Sequence, residues 1–152
     1  MLARADVATQ AAISEAQAAR FLLRAQFSAP DAEIAAVRAQ GYRAWLDAQF
    51  ASPRGQRGFD WLDAHGHNAV TKEARYFWPM AGDHMIWNQL IAQPDQMRQR
   101  AAFALSQFFV ISLNPIDGFW PPYIMASWWD MLCDEAFGNF RTLLERGSLN
   151  AG

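Results

Sequence analysis

The chain has 152 residues, which suits a single domain that can bury a sizeable core. Hydrophobic residues make up 52% and aromatic residues 14% of the composition, so the sequence is not that of a disordered protein. The net charge is −2, and the twelve arginines and one lysine are scattered, so no basic run could follow a phosphate backbone. We therefore expect no nucleic-acid partner.

The cysteine count and the amino terminus leave the compartment open. Cys133 is the only cysteine, so no intrachain disulfide can form. Residues 1–6 lack the apolar core of a signal peptide. Either the protein stays in the cytoplasm, or an export signal lies outside this chain.

Three short helices are predicted near the amino terminus, after a flexible stretch at residues 1–13. Ser14 can cap the first helix while Gln17 reaches back to it, which is a capping box. Pro30 suits the start of a second helix, and Gly41 suits a left-handed helix end. A third helix is predicted from residue 42 to about residue 50. The short joints indicate that these helices fold back on one another.

Residues 51–70 are predicted to form a long loop. Turn-forming residues dominate both of its ends, and Phe59, Trp61 and Leu62 between them could anchor it to a bundle. Loops of this length inside a compact domain are uncommon and are often functional. A helical pattern resumes near Thr71, breaks at residues 78–79 and restarts near Asp83.

Residues 94–112 are predicted to form one continuous helix, the most buried in the chain. Pro94 and Asp95 are typical of a helix start. Six apolar residues then recur at helical spacing, namely Met97, Ala101, Ala104, Leu105, Phe108 and Ile111. Because the opposite side is apolar as well, the pattern is typical of a helix enclosed by neighbours. We expect Leu105 and Phe108 to be almost fully buried.

The same stretch is long enough, at about nineteen residues, to reach across a bilayer. Arg98, Arg100 and Gln107 favour a core helix instead, because charged side chains inside a membrane are costly. No transmembrane segment is therefore expected.

Two further helices complete the predicted fold. One runs from about residue 123 to residue 137, and Asn139 can cap a last helix that Gly147 ends. No alternating run is long enough to indicate a strand. The predicted fold class is therefore all-α, an irregular multi-helix bundle around the central helix at residues 94–112.

Four blocks of this sequence follow one another along the chain, namely residues 18–27, residues 41–49, residues 94–100 with 102–107, and residues 136–141. Together and in this order they resemble the DUF1800 family. The resemblance implies a bacterial protein of unassigned biochemical function, often exported to the cell envelope or periplasm. Family members are usually several times longer, so the chain resembles only an amino-terminal portion. Residues 1–152 are accordingly expected to be either one helical domain or the amino-terminal fragment of a larger helical domain.

The family supplies no established catalytic residue, so candidate sites rest on the residues themselves. His65 and His67 could share a metal ion, with Asp60, Asp63 and His84 completing the ligands. No recognised zinc spacing such as HExxH or paired CxxC is present, so an exposed histidine pair is the favoured interpretation. We expect no metal and no cofactor.

Arg98 and Arg100 lie in the first turns of the predicted central helix, where the helix dipole disfavours positive charge. If that helix is buried, both guanidinium groups need carboxylate or carbonyl partners. Asp95 can pair with Arg98, and three carboxylates of the later helix are further candidates, namely Asp130, Asp134 and Glu135. A network that fixes helix register is favoured over anion binding.

An aromatic group late in the chain could form a stacking platform for a sugar or another flat ligand. Its members are Phe119, Trp120, Tyr123, Trp128 and Trp129. Aromatic residues at this density more often form a core or an interface. We expect Phe119, Trp120, Trp128 and Trp129 to form an exposed apolar surface, through which the isolated chain self-associates.

Three functions follow from these patterns, and no catalytic motif decides whether the protein is an enzyme. The favoured one is a non-catalytic helical segment that packs against the rest of a longer, envelope-associated polypeptide. The second is part of an enzyme, to which the histidine loop or the arginine pair contributes and whose site further sequence completes. The third is a binder of small ligands or glycans that uses the aromatic loop.

Overall fold

Seven α-helices make up the described part of the chain, residues 12–113 and 119–150, in the computed structural model. No strand occurs within those residues, so the predicted all-α class is confirmed. The prediction that residues 1–13 are flexible falls mainly on residues 1–11, which lie outside the described residues. In chain order the helices are α1 (Glu15–Ala25), α2 (Asp31–Ala51), α3 (Gly58–Ala64), α4 (Met80–Ala92), α5 (Gln96–Ser106), α6 (Pro121–Asp134) and α7 (Phe140–Ser148).

The first two helices follow from local signals. The Ser14 hydroxyl accepts a hydrogen bond from the Gln17 backbone N–H at 3.2 Å, and the Gln17 side chain accepts one from the Ser14 N–H at 2.9 Å. This is the predicted capping box. Gly41 interrupts α2 with φ of 85°, a conformation that glycine adopts without strain, so the predicted break becomes a kink within one element.

Helices α1 and α2 enclose a small core of their own. The Phe21 ring contacts Trp45 edge-on at 5.3 Å and Tyr42 at 4.6 Å. Met97 of α5 reaches into this core and joins it to the rest of the fold. Its buried members are Ala18, Leu22, Ile34, Val37, Trp45 and Met97.

A larger core surrounds α6, which contacts α3, α4, α5 and α7. Ten of the fourteen residues of α6 are buried, against three of the eleven residues of α5. The buried helix of the bundle is therefore α6. Among the described residues, no helix is both long and apolar enough to cross a membrane, in agreement with the predicted lack of a transmembrane segment.

The prediction of a continuous, deeply buried helix at residues 94–112 is wrong. Helix α5 ends at Ser106, and its hydroxyl bonds back to the Phe103 carbonyl oxygen at 2.8 Å, which competes with helix continuation. Hydrogen bonds between residues three positions apart follow, such as the one from the Phe108 N–H to the Leu105 carbonyl oxygen at 3.0 Å, and they are typical of a 3₁₀ turn. Leu105 is half-buried, and Phe108 is 82% exposed rather than buried.

The predicted loop at residues 51–70 is also wrong, because α3 occupies its middle. This helix has no side-chain cap from its own N-cap residue, Arg57. Its first N–H groups donate instead to the Asp130 carboxylate of α6, from Gly58 at 2.8 Å and from Phe59 at 3.2 Å. Residues 72–77 form turns rather than the expected helix.

Candidate functional site

Arg98 binds the carboxyl-terminal ends of two helices. Its guanidinium donates to the carbonyl oxygen of Cys133 in α6 at 3.2 Å and to that of Ser52, the C-cap of α2, at 3.3 Å. It lies 3.7 Å from the Asp95 carboxylate and 4.8 Å from the centre of the Phe137 ring. Carbonyl groups at helix ends lack partners within the helix, so a cation stabilises them.

Arg100 binds the carboxyl-terminal end of α1 in a similar way. Its guanidinium donates to the carbonyl oxygen of Gln26, the C-cap residue, at 3.2 Å and lies over the Phe27 ring at 5.2 Å. Arg98 and Arg100 thus tie α5 to the ends of α1, α2 and α6. These contacts favour the register interpretation over anion binding, since both guanidinium groups have acceptors within the chain.

The three carboxylates that the sequence offered to Arg98 and Arg100 bind other arginines. Asp134 accepts from Arg54 at 2.8 Å, from Arg57 at 3.0 Å and from Arg146 at 3.3 Å. Asp130 pairs with Arg54 and Arg57, and Glu135 pairs with Arg146. The three carboxylates do bind arginines, as expected, but not Arg98 and Arg100. Arg54 and Arg57 were not considered, because they are distant in sequence and belong to the predicted loop.

Burial and charge act in opposite directions on Asp134. Burial alone would raise the pKa of its carboxyl, but the hydrogen bond from Arg57 and the charge of Arg54 lower that pKa below the ordinary value. The carboxylate is therefore ionised in the folded protein at neutral pH. The arrangement holds the segment around residues 54–57 against the end of α6.

Two glycines allow that segment to approach the core closely. A Cβ at Gly55 would lie 2.5 Å from the Gln93 side-chain oxygen, and one at Gly58 would lie 2.6 Å from the Met85 sulfur. The sequence pattern indicated only turn-forming residues at this end of the predicted loop. The signal available was the pair of glycines enclosing Arg57, with a lone aspartate inside the apolar α6.

A buried polar chain joins α5 to α6. The Gln99 side-chain oxygen accepts from the Trp129 indole N–H at 3.1 Å and from the Cys133 thiol at 3.5 Å. The Gln99 amide donates to the Asp95 carboxylate at 3.3 Å. Burial is the main cause that raises the pKa of the Cys133 thiol to about 12, so this cysteine is not a nucleophile at neutral pH.

The histidine pair is held by the backbone. Nδ1 of His65 lies 2.7 Å from the Trp61 carbonyl oxygen, and Nδ1 of His67 lies 2.7 Å from the Ala74 carbonyl oxygen. The Trp61 ring stacks on His65 at 3.8 Å. Within residues 12–113 and 119–150, no three potential metal ligands among His, Cys, Asp and Glu converge. Asp63, one of the supposed ligands, accepts the Tyr123 hydroxyl at 2.6 Å.

The five aromatic residues considered as a stacking platform are not exposed together. Tyr123 and both tryptophans of α6 belong to the core, where the Trp128 indole donates to the Phe109 carbonyl oxygen at 3.0 Å. The expectation that Trp128 and Trp129 are exposed is therefore wrong. Phe119 is exposed, whereas Trp120 is half-buried and packs against Tyr76 at 5.0 Å. Burial and the hydrogen bond to Asp63 raise the pKa of Tyr123.

An exposed apolar surface lies elsewhere, along α4 and α5. Two adjoining clefts of about 380 and 280 Å³ share Trp87, Leu90 and Phe103 as lining residues. We call their combined surface the apolar groove. Trp87 is 62% exposed, Ile91 74% and Phe103 41%. The other apolar side chains lining it include Phe27, Ile86, Phe109, Val110, Ile111 and Met125.

Comparisons with known proteins give a family and no function. A family model described as "Protein of unknown function (DUF1800)" matches residues 20–151, so the resemblance seen in the four sequence blocks is confirmed. No curated protein and no solved structure matches the chain. The function therefore has to be argued from the contacts of the chain itself.

Proposed function

This chain belongs to the DUF1800 family, and we propose that it is a non-catalytic segment that packs through its apolar groove against further polypeptide of a bacterial, envelope-associated protein. The observation that carries the proposal is the exposure of Trp87, Ile91 and Phe103 side by side. Monomeric soluble proteins seldom leave large apolar patches in water unless they bind something there. A trough between two helices suits an apolar helix face.

The contacts behind the groove support a role in presenting it rigidly. Arg98 and Arg100 bind α5 to the ends of three other helices, and Gln99 bonds to Trp129 inside the core. The groove wall formed by α5 is thus fixed from behind by polar bonds. A prepared surface loses less conformational entropy when a partner binds.

The two alternatives have less support. An enzyme site built on the arginine pair would need free guanidinium groups, yet both have acceptors within the chain. Around the histidine loop, no three potential metal ligands converge among the described residues. A glycan platform built on the five aromatic residues Phe119, Trp120, Tyr123, Trp128 and Trp129 would need several exposed rings, and of these five residues Phe119 alone is exposed.

The proposal is tested by expressing the chain alone and together with any polypeptide that its gene encodes beyond residue 152. At a protein concentration low enough to keep the isolated chain monomeric, radical footprinting should oxidise Trp87 and Phe103 in that chain and leave them protected in the longer protein. Phe119 and Val70, which are exposed outside the groove, serve as internal controls. Equal oxidation of Trp87 and Phe103 in both samples would contradict the proposal.

A further inference from the structure

A second cleft, of about 670 Å³, lies within one short segment between α3 and α4. Its walls come from residues 70–78, and it shares no lining residue with the apolar groove. Small-molecule sites have volumes of roughly 300–1,000 Å³ and combine an apolar lining with a few polar groups. The cleft meets both conditions, and none of the proposed functions uses it.

The segment is held in place although residues 68–79 form neither helix nor strand. The Ala74 carbonyl oxygen lies 2.7 Å from Nδ1 of His67, which fixes the segment near the end of α3. The Tyr76 ring packs against Trp120 at 5.0 Å, and Trp78 packs against His84 of α4 at 5.4 Å. Contacts of the chain itself therefore hold the segment that lines the cleft.

Arg75 adopts an unfavourable backbone conformation. Its φ is 51°, in the left-handed region that costs a residue with a Cβ about 1 kcal/mol or more. Glycine would avoid that cost, yet arginine occupies the position and its guanidinium lies 4.9 Å from the centre of the Trp78 ring. Such strain at a positioned side chain is typical of functional sites.

The lining of the cleft has one sign of charge. Lys72, the only lysine of the chain, and Arg75 both line it, and no carboxylate does so within the described residues. Val70 and Phe77 contribute large apolar side chains that are more than half exposed. A ligand that satisfies this surface carries a flat apolar body and one anionic group, because cations attract the anion while the rings cover the body.

We propose that the cleft formed by residues 70–78 binds a small aromatic carboxylate, with Lys72 and Arg75 holding the carboxylate and Phe77 packing on the ring. The site is independent of the apolar groove, so failure of one proposal leaves the other unchanged.

Isothermal titration with naphthalene-2-carboxylate, and with the neutral 2-naphthylmethanol of similar shape, tests the proposal. The carboxylate should bind one to one and about tenfold or more tightly than the alcohol. The double variant Lys72→Gln/Arg75→Gly should bind the two compounds equally. Glycine at position 75 tolerates the positive φ, so this variant keeps the backbone conformation. The single variant Lys72→Gln should lose part of the preference.

Arg43→Gln is the matched control, because Arg43 is an exposed arginine of α2 paired only at 3.6 Å with Asp47. It should keep the full preference for the carboxylate. Three results would overturn the proposal: no binding of the carboxylate, equal binding of both compounds by the unaltered chain, or an equal loss of preference in Arg43→Gln.

Discussion

Helices α5 and α6 pack against each other, yet they differ in how many of their residues they bury. Helix α6 buries tryptophans and leucine around one aspartate, Asp130. Helix α5 buries Gln99 completely while leaving Phe103 partly in solvent. A helix that is buried on nearly all sides needs no further partner, whereas a helix that leaves a large apolar side chain in solvent has a surface that a partner can cover.

The comparison explains why hydrophobic pattern alone chose the wrong helix as the centre. Periodicity reports which residues avoid water in the finished protein, and it does not say which surface covers them. In α5 the contacts to α6 include polar ones, since Gln99 bonds to Trp129 and Arg98 bonds to the Cys133 carbonyl group, while Ala102 belongs to the same core. The large apolar residue of α5 that lines the groove is Phe103.

The largest expected effect comes from the one buried charge of α6. Asp130→Ala leaves Arg54 without its buried partner and uncaps α3, so the free energy of unfolding should fall by about 3–5 kcal/mol. Denaturant unfolding of the two proteins measures this loss of free energy. The control Asp47→Ala removes an exposed carboxylate paired with Arg43 at 3.6 Å and should cost under about 1 kcal/mol. Similar losses in the two variants would contradict this account of Asp130.

The polar side of α5 should show a smaller effect. Gln99→Met keeps a side chain of similar size but leaves the Trp129 indole N–H unpaired in the core, at a cost of about 1–3 kcal/mol. Thermal or urea unfolding of the two proteins measures the difference. Gln107→Met, at an exposed position of the same chain segment, should be nearly neutral. A stabilised Gln99→Met protein would mean that the buried face of α5 gains nothing from its polarity.

The smallest effect is the pH dependence around Asp134. Because its pKa is lowered in the folded protein, the stabilisation is fully present above the ordinary aspartate pKa of about 3.9 and is lost as the pH falls through the folded value. The difference in unfolding free energy between the unaltered chain and Asp134→Asn should therefore shrink from pH 7 to pH 3. A difference that stays constant over this range would show that the charge of Asp134 does not contribute.

The parts of the fold that the sequence predicted are those decided by neighbouring residues. The Ser14 capping box, the break at Gly41 and the Asn139 cap, which accepts the Arg141 N–H at 2.8 Å, all involve residues a few positions apart. Such caps and breaks depend on residues close together in the chain, so the local sequence is enough to predict them.

The parts that were missed depend on distant partners. Helix α3 is capped by Asp130, whose separation from Gly58 is 72 residues, and no local pattern records that bond. The same holds for the candidate site. The carboxylates at the end of α6 could be predicted from the sequence as partners of arginines. Their pairing with Arg54 and Arg57 could be seen only in the folded structure.

The central claim is that the apolar groove of α4 and α5 is a surface built to be covered. Its most direct test is sedimentation velocity of the isolated chain over a range of concentrations, compared with Trp87→Ser/Ile91→Ser/Phe103→Ser. The control variant carries serine at three exposed leucines that do not line the groove, Leu23, Leu144 and Leu149. We expect the unaltered chain and the control to self-associate and the groove variant to remain a monomer. A monomeric unaltered chain at all concentrations, or association that persists in the groove variant, would contradict the claim.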